Sequence, residues 1–351
     1  MADHTRPRRF ARSLTGLARR AGLATALTTV SFTAQPALAD SGGVSFWLPG
    51  IFGSLAAVPV TPGWAYSTIY IHLNEKAGGG QNFVTTGGVP GSVTAGLNAH
   101  ADVLVQGITY TSPMPVLGGQ AAFTLLTAPG NIGIGIDATL TGPRGNAISG
   151  GVTDNRTTLT DVFYQGTLKW NQGVHNEMVY ITGNIPSGTY DSTRLANLSF
   201  GFPAVDAGAG YTYLDLKTGH EFSVVGGLTY NFMNGALQYQ NGMDFHIDWA
   251  ASQFVSKTIH VGIAGYFFQQ VTDDRGPGAR LGGFRGQAVG IGPQIGFMIP
   301  MSDGYQGYLN VRGYKDLETE NRPNSWSTWV TFSVSPAAPE PAAKKPIVRK
   351  F

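Results

Sequence analysis

The chain has 351 residues, of which only 13% are charged, with 49 glycines, 19 phenylalanines, 14 tyrosines and no cysteine. The charged share is about half that of an ordinary soluble domain, yet mean hydropathy is close to zero, which excludes a bundle of spanning helices. The formal net charge is +2, and it is skewed by a basic start, so nothing points to nucleic acid.

Arg6, Arg8, Arg9, Arg12, Arg19 and Arg20 precede a short apolar stretch from Ala21 to Thr33 and the small-x-small site Ala37-Leu38-Ala39. Residues 1–39 are expected to be a cleaved secretory signal peptide, with the mature chain starting near Asp40. Arg8-Arg9-Phe10 hints at the twin-arginine route, but the rest of that motif is missing, and ordinary secretion is preferred. Without cysteine, disulfides do not stabilise the exported fold.

Residues 40–62 do not alternate. Trp47-Leu48-Pro49-Gly50 and Val58-Pro59-Val60-Thr61-Pro62 bracket a short apolar piece. Prolines at both ends favour a small helix or plug over a strand. A periplasmic lead-in fits equally well.

From residue 63 onward a two-residue rhythm dominates. Phe222, Val224, Gly226, Leu228, Tyr230 and Phe232 alternate with Glu221, Ser223, Val225, Gly227, Thr229 and Asn231. Ile69, Ile71 and Leu73 alternate with Thr68, Tyr70, His72 and Asn74, and Met243, Phe245, Ile247 and Trp249 with Asp244, His246 and Asp248. A long series of such strands predicts an all-β fold, a transmembrane antiparallel β-barrel over 63–334 with its oily face to lipid and its wet face to the lumen. Thirteen strands are visible. Bacterial single-chain barrels have even numbers, so a fourteenth is expected near Gln81 to Thr86, with twelve strands as the alternative. Short connections near Ala128-Pro129-Gly130, Gln172-Gly173, Thr218-Gly219, Ser256-Lys257 and Ser302-Asp303-Gly304 read as periplasmic turns. Longer ones at 142–156, 186–204, 234–242 and 273–286 read as external loops. Residues 335–351, rich in Pro, Ala and Lys, are expected to form a flexible tail.

A charge on the lipid face of a barrel is expensive, so the ionisable strand residues are expected to point inward. His72, His100, Asp102, Asp161, Lys169, Glu221, Asp244, His246, Asp248, His260 and Arg312 are the candidate lumen-lining and selectivity residues. Tyr70, Phe163, Tyr266, Phe268 and Tyr314 would offer aromatic contacts. The bland alternative is that these groups only pair with one another and keep the interior polar. Asp244, His246 and Asp248 share one face, about 7 Å apart, but side chains so spaced rarely converge on one ion. A hydrogen-bond network is therefore preferred to a metal site, and no cofactor is expected. Catalysis lacks support: no Gly-x-Ser-x-Gly elbow is present, and no histidine falls where a lipid hydrolase needs one. The loop 273–286, with Asp273, Asp274, Arg275, Arg280 and Arg285, reads either as a solvated loop touching lipopolysaccharide or as a lid.

Several segments resemble the outer-membrane barrel family associated with the meta-pathway of phenol degradation. They are Leu48-Pro49-Gly50, the run from Asn184 to Asp191 with Arg194-Leu195-Ala196-Asn197, and the run from Tyr211 to Asp215 through Thr218-Gly219-His220-Glu221 to Asn234. More distantly, the architecture is similar to fourteen-stranded uptake channels for fatty acids and aromatic hydrocarbons, which carry an N-terminal hatch. The resemblance implies an outer-membrane channel admitting small hydrophobic or aromatic solutes passively, with membrane lipid and lipopolysaccharide as surroundings. A structural or adhesive barrel with a filled, non-conducting lumen is the alternative, and an enzyme comes third. The oligomeric state is open.

Overall fold

The computed structural model describes residues 45–84, 89–279, 282–283 and 285–338. The expected signal peptide at 1–39 and the end of the expected tail lie outside them. Fourteen strands run through the described residues in chain order: β1 (Gly63–Val84), β2 (Pro90–Val116), β3 (Gly119–Thr127), β4 (Pro129–Thr141), β5 (Ala147–Leu159), β6 (Val162–Gln172), β7 (His175–Ile185), β8 (Ala204–Asp215), β9 (His220–Asn231), β10 (Asp244–Phe254), β11 (Ile259–Gln270), β12 (Gln287–Pro300), β13 (Tyr305–Glu320) and β14 (Asn324–Pro336). They form one sheet, and every pairing is antiparallel. Pairing of β1 with both β14 and β2 closes a circuit of twelve strands, with β4 and β5 outside it. Where β1 pairs with β14 the circuit has no free edge, so its backbone N–H and C=O groups are satisfied without water, whereas β5 pairs with β4 alone and leaves an open edge outside the circuit. Among the described residues no helix is long and apolar enough to cross a membrane, which says nothing about crossing by strands.

The fourteenth strand is not where the sequence suggested. β1 runs on to Val84, with no separate strand at 81–84, and residues 85–88 lie outside the described set. The extra strand is β5, most of which lies inside the stretch 142–156 read as a long loop. Its neighbours explain it. β3 and β4 follow one another along β2, with Gln106 opposite Thr127 and Val103 opposite Gly130. β5 and β6 likewise line up beside β4 and β3. Each is a long strand interrupted once, at Ala128-Pro129 and at Thr160-Asp161. Proline has no N–H to give the ladder. Above these breaks β1, β2, β4 and β5 continue as an extension, while β7 to β11 are only 11 or 12 residues long.

Local chemistry sets the hairpins. Leu117-Gly118 (φ 49° and 75°) and Asp303-Gly304 (φ 60° and 77°) have positive φ at both central positions, the geometry of tight turns whose twist matches the strands they join.

The interior is filled largely by the N-terminal segment 45–62. Trp47 and Ala57 are buried against Ile71, Met178, Tyr180, Val225, Tyr266, Phe268, Tyr314 and Trp329. Leu48, Phe52 and Ala56 pack at the margin of the same cluster with Ile69, Val103 and Val105. A second cluster joins Leu97, Ala101, Ile132 and Ile134 to Ala196 of the β7–β8 loop.

Candidate functional site

The segment 45–62 carries few polar side chains, so its exposed backbone groups need partners inside the barrel. The wall supplies them. Asp248 on β10 accepts from Gly50 N (2.9 Å) and Phe52 N (3.1 Å). Glu221 on β9 accepts from Leu55 N (2.9 Å) and from the Ser54 hydroxyl (2.7 Å). Thr212 on β8 accepts from Ala57 N at 3.0 Å. Lys169 on β6 donates to Ala56 O (2.7 Å) and Val58 O (3.3 Å), and the Tyr314 hydroxyl donates to Gly50 O (3.3 Å). Gln120 clamps Val60, accepting from its N–H at 2.8 Å and donating to its carbonyl at 2.5 Å. Gln294 donates to Ser54 Oγ at 2.9 Å.

The segment's conformation depends on close approach. Gly50 has φ +88°, and a Cβ there would lie 2.7 Å from the Tyr314 ring. At Gly53 a Cβ would collide with the guanidinium of Arg312. Trp47 stacks on His246, with ring centroids 3.5 Å apart and planes 13° from parallel.

The Asp244, His246 and Asp248 triplet lies on the inward face of β10, yet its members do different things. Asp244 accepts from Asn231 Nδ2 at 2.9 Å. His246 Nε2 is 2.8 Å from Asp206 Oδ2, and both side chains are fully buried. Asp248 holds the segment. His260 does not join them; it contacts Ser252 Oγ (3.3 Å) and the Tyr308 hydroxyl (3.0 Å). Arg312 lies 5.5 Å over Trp329. Asp161 is buried and gathers four donors: Asn184 Nδ2, Gly188 N, Ser199 Oγ and Phe200 N. It thereby pins the β7–β8 loop at the break before β6. Farther up the same loop, Arg194 pairs with Asp154 of β5, which also accepts from Ala196 N at 3.0 Å. The Arg194 guanidinium, then the Ala196 N–H, hold the Asp154 carboxyl down to about 2.

Among the aromatic candidates, Tyr266 donates to Asp316 and lies 5.4 Å from the Tyr314 ring. Phe268 is buried beneath the Arg322 guanidinium, 4.4 Å from its ring centroid. Phe163 joins Phe46 and Phe200, with centroids about 6 Å apart.

Four candidates must be corrected. His72, His100, Asp102 and Tyr70 face outward, not into the lumen. Ile71 sits opposite both Trp329 and Val103 and is buried in the interior cluster, so its neighbours Tyr70 and His72 lie on the other face. Asp102 is paired with His72, and His100 shares its face two residues on. Asp102 Oδ1 accepts from the Tyr70 hydroxyl (2.6 Å) and lies 2.8 Å from His72 Nδ1. The physical reason is the segment's apolar side. Leu48 lies beside Ile71, Leu73 and Trp329, and Trp47 belongs to one buried cluster with Ile71, so the segment meets an oily wall on β1 and β2. The polar residues of those strands are left outside, where they bond to each other.

Sequence reasoning missed Thr212, Ser252, Gln294, Asp206 and Asp154. Ser252 falls on the same two-residue phase as Asp244, His246 and Asp248, and Thr212 on that of Asp206, which is the signal that could have found them. Asp154 lay within a stretch read as loop.

The described fold can now be set beside known proteins. A family model described as "Putative MetA-pathway of phenol degradation" matches residues 76–332. Among solved structures, an outer membrane channel from Pseudomonas putida F1 is similar over 79% of this chain and 97% of its own, at 12% identity and a TM-score of 0.53. A FadL homologue from Pseudomonas aeruginosa covers 81% of this chain and 92% of its own at 7% identity, with a TM-score of 0.39 that carries no argument. No curated protein matches. At such identities the likeness to the channel establishes the barrel fold alone. The family match covers most of the chain, including β2 to β13 and the residues that hold the N-terminal segment, so this protein belongs to the family described as the putative MetA-pathway of phenol degradation.

Proposed function

We propose that the protein is an outer-membrane channel for passive uptake of small hydrophobic or aromatic compounds, with the N-terminal segment as its plug. The observation that carries this reading is the two-sided lumen. One side of the segment faces apolar wall from β1 and β2, and the other faces a polar wall that holds its backbone. An apolar solute with one polar group needs both surfaces. The plug is held by individual hydrogen bonds, each contributing about 1 kcal/mol net, more where a charge takes part. Such a set can be exchanged bond by bond, unlike a continuous ladder. Family membership supports a role beside aromatic catabolism, and the twelve-stranded circuit is wide enough to house a chain segment.

Planar bilayer recording on the purified protein tests the proposal. Deletion of residues 40–62 is expected to raise conductance sharply and to speed flux of a phenolic probe. Unchanged conductance would remove the plug. A silent barrel after deletion would favour the second reading, a structural barrel, which the burial of Trp47 and Ala57 also suits.

A further inference from the structure

We propose that the lumen mouth at the short-turn end holds a binding site for a small organic anion, a single aromatic ring bearing a carboxylate, beside Lys169. The site is a groove open to solvent, of about 270 Å³, between the end of the N-terminal segment and the β2–β3 hairpin. It exists because the hairpin is irregular. The register of β2 against β3 shifts between Thr111 and Pro115, so Ser112, Pro113 and Met114 stand off the ladder. The Ser112 hydroxyl fixes this bulge, accepting from Met114 N at 3.1 Å and donating to Met114 O at 2.9 Å.

The lining is chemically one-sided. Pro59, Pro62 and Met114 give apolar walls, Trp170 lies at the rim, one residue on from Lys169 and so on the opposite face of β6, and Lys169 is the single charged residue among the lining residues, with no carboxylate beside it. Trp170 is fixed by donating Nε1–H to Leu117 O at 3.1 Å. An ammonium group has three donors. Lys169 directs two at the carbonyls of Ala56 and Val58, the second at a long 3.3 Å. These carbonyls solvate the charge without neutralising it, and among the described residues no acidic group forms an ion pair with it. A cation in such a groove favours an anion, since charge-assisted hydrogen bonds are about twice as strong as neutral ones. Size fits too: a cavity of about 150 Å³ holds benzene, so this one has room for a ring and a carboxylate. The inference rests on the uptake reading only for its place on the solute's path; binding itself is measurable without flux.

The test is equilibrium binding of benzoate, with benzyl alcohol as the neutral counterpart, to the purified full chain in detergent. Calorimetry and tryptophan fluorescence serve as readouts. Benzoate is expected to bind saturably and more tightly than benzyl alcohol, to weaken with added salt, and to lose about tenfold in affinity in Lys169→Met, as for a lost hydrogen bond to a charged group, while Lys169→Arg retains it. Equal affinity for the two probes, no saturable binding of benzoate, or benzoate affinity unchanged in Lys169→Met would each overturn the site. If Lys169→Met fails to fold, the benzoate-to-benzyl-alcohol ratio in the native protein and its salt dependence still decide. Loss of flux in bilayers with benzoate binding intact would instead overturn the uptake reading and leave the site standing.

Discussion

Along β9, β10 and β13 the inward positions carry Glu221, His246, Asp248, Arg312 and Asp316; along β1 and β2 they carry Ile69, Ile71, Val103 and Val105. Both sectors alternate with period two, and both face the same lumen. They differ in what the N-terminal segment turns toward them. Its amides at Gly50, Phe52 and Leu55 face the acidic sector, and its Leu48 side chain lies beside Ile71 and Leu73 of the oily one. A barrel interior therefore need not be uniformly polar; it matches the surface of whatever fills it.

The largest effect should come from the acidic sector. Asp248→Ala leaves two buried amides without an acceptor, a loss of about 2–4 kcal/mol from the seating of the segment. Bilayer recording should show frequent opening at a conductance approaching that of the protein lacking residues 40–62. Conductance like the native protein's would mean the apolar sector alone seats the segment.

Gly50→Ala probes the approach of the segment to the wall. It combines a left-handed backbone with a Cβ 2.7 Å from the Tyr314 ring, and about 1–2 kcal/mol of backbone strain is expected. A lowered thermal midpoint, restored in part by Tyr314→Ala, would confirm the contact.

Asp102→Asn in the outward cluster should raise stability in lipid by up to about 1 kcal/mol, because it removes a charge that is costly on the lipid face and keeps an acceptor for the Tyr70 hydroxyl. The orientation itself is checked by spin labels. A label at position 72 should respond to oxygen in the bilayer as one at Phe245 does, whereas one at Ile71 should be immobilised. The opposite pattern would reverse the assignment of the oily sector.

The smallest effect concerns acid. Arg194 and the Ala196 amide depress the Asp154 carboxyl from its ordinary 3.8 to about 2. A depressed carboxylate contributes above its ordinary value and loses that contribution as pH falls through about 2. Hydrogen exchange of the β7–β8 loop should thus be unaffected by this pair down to about pH 4 and rise toward pH 2. In Asp154→Asn it should be raised at neutral pH.

Much of the barrel was legible in the residues. The rhythm from Glu221 to Phe232 and from Asp244 to Trp249 gave both the strands and their inward faces, because lipid outside and acids inside leave one solution. The same reasoning failed at Tyr70, His72, His100 and Asp102, where the oily face was needed inside. It also passed over β5. Ala147–Leu159 holds Gly150-Gly151 and is mostly exposed, so it has no buried face to impose a pattern. Asp161 could be singled out as an ionisable residue, but not as the acceptor of four donors from a loop as much as 39 residues away.

The sequence by itself determined the period, the closed antiparallel class and the turns at 172–173, 218–219, 256–257 and 302–304, since each follows from contacts between residues near in the chain or from the need to pair every backbone group; the turn expected at 128–130 is instead an in-line break between β3 and β4. Which face of β1 and β2 turns inward was decided only by the tertiary structure. Successive Cβ atoms point to opposite sides of a strand whatever lies beyond them. The choice between the sides came from a segment that meets β10 across nearly two hundred residues of chain.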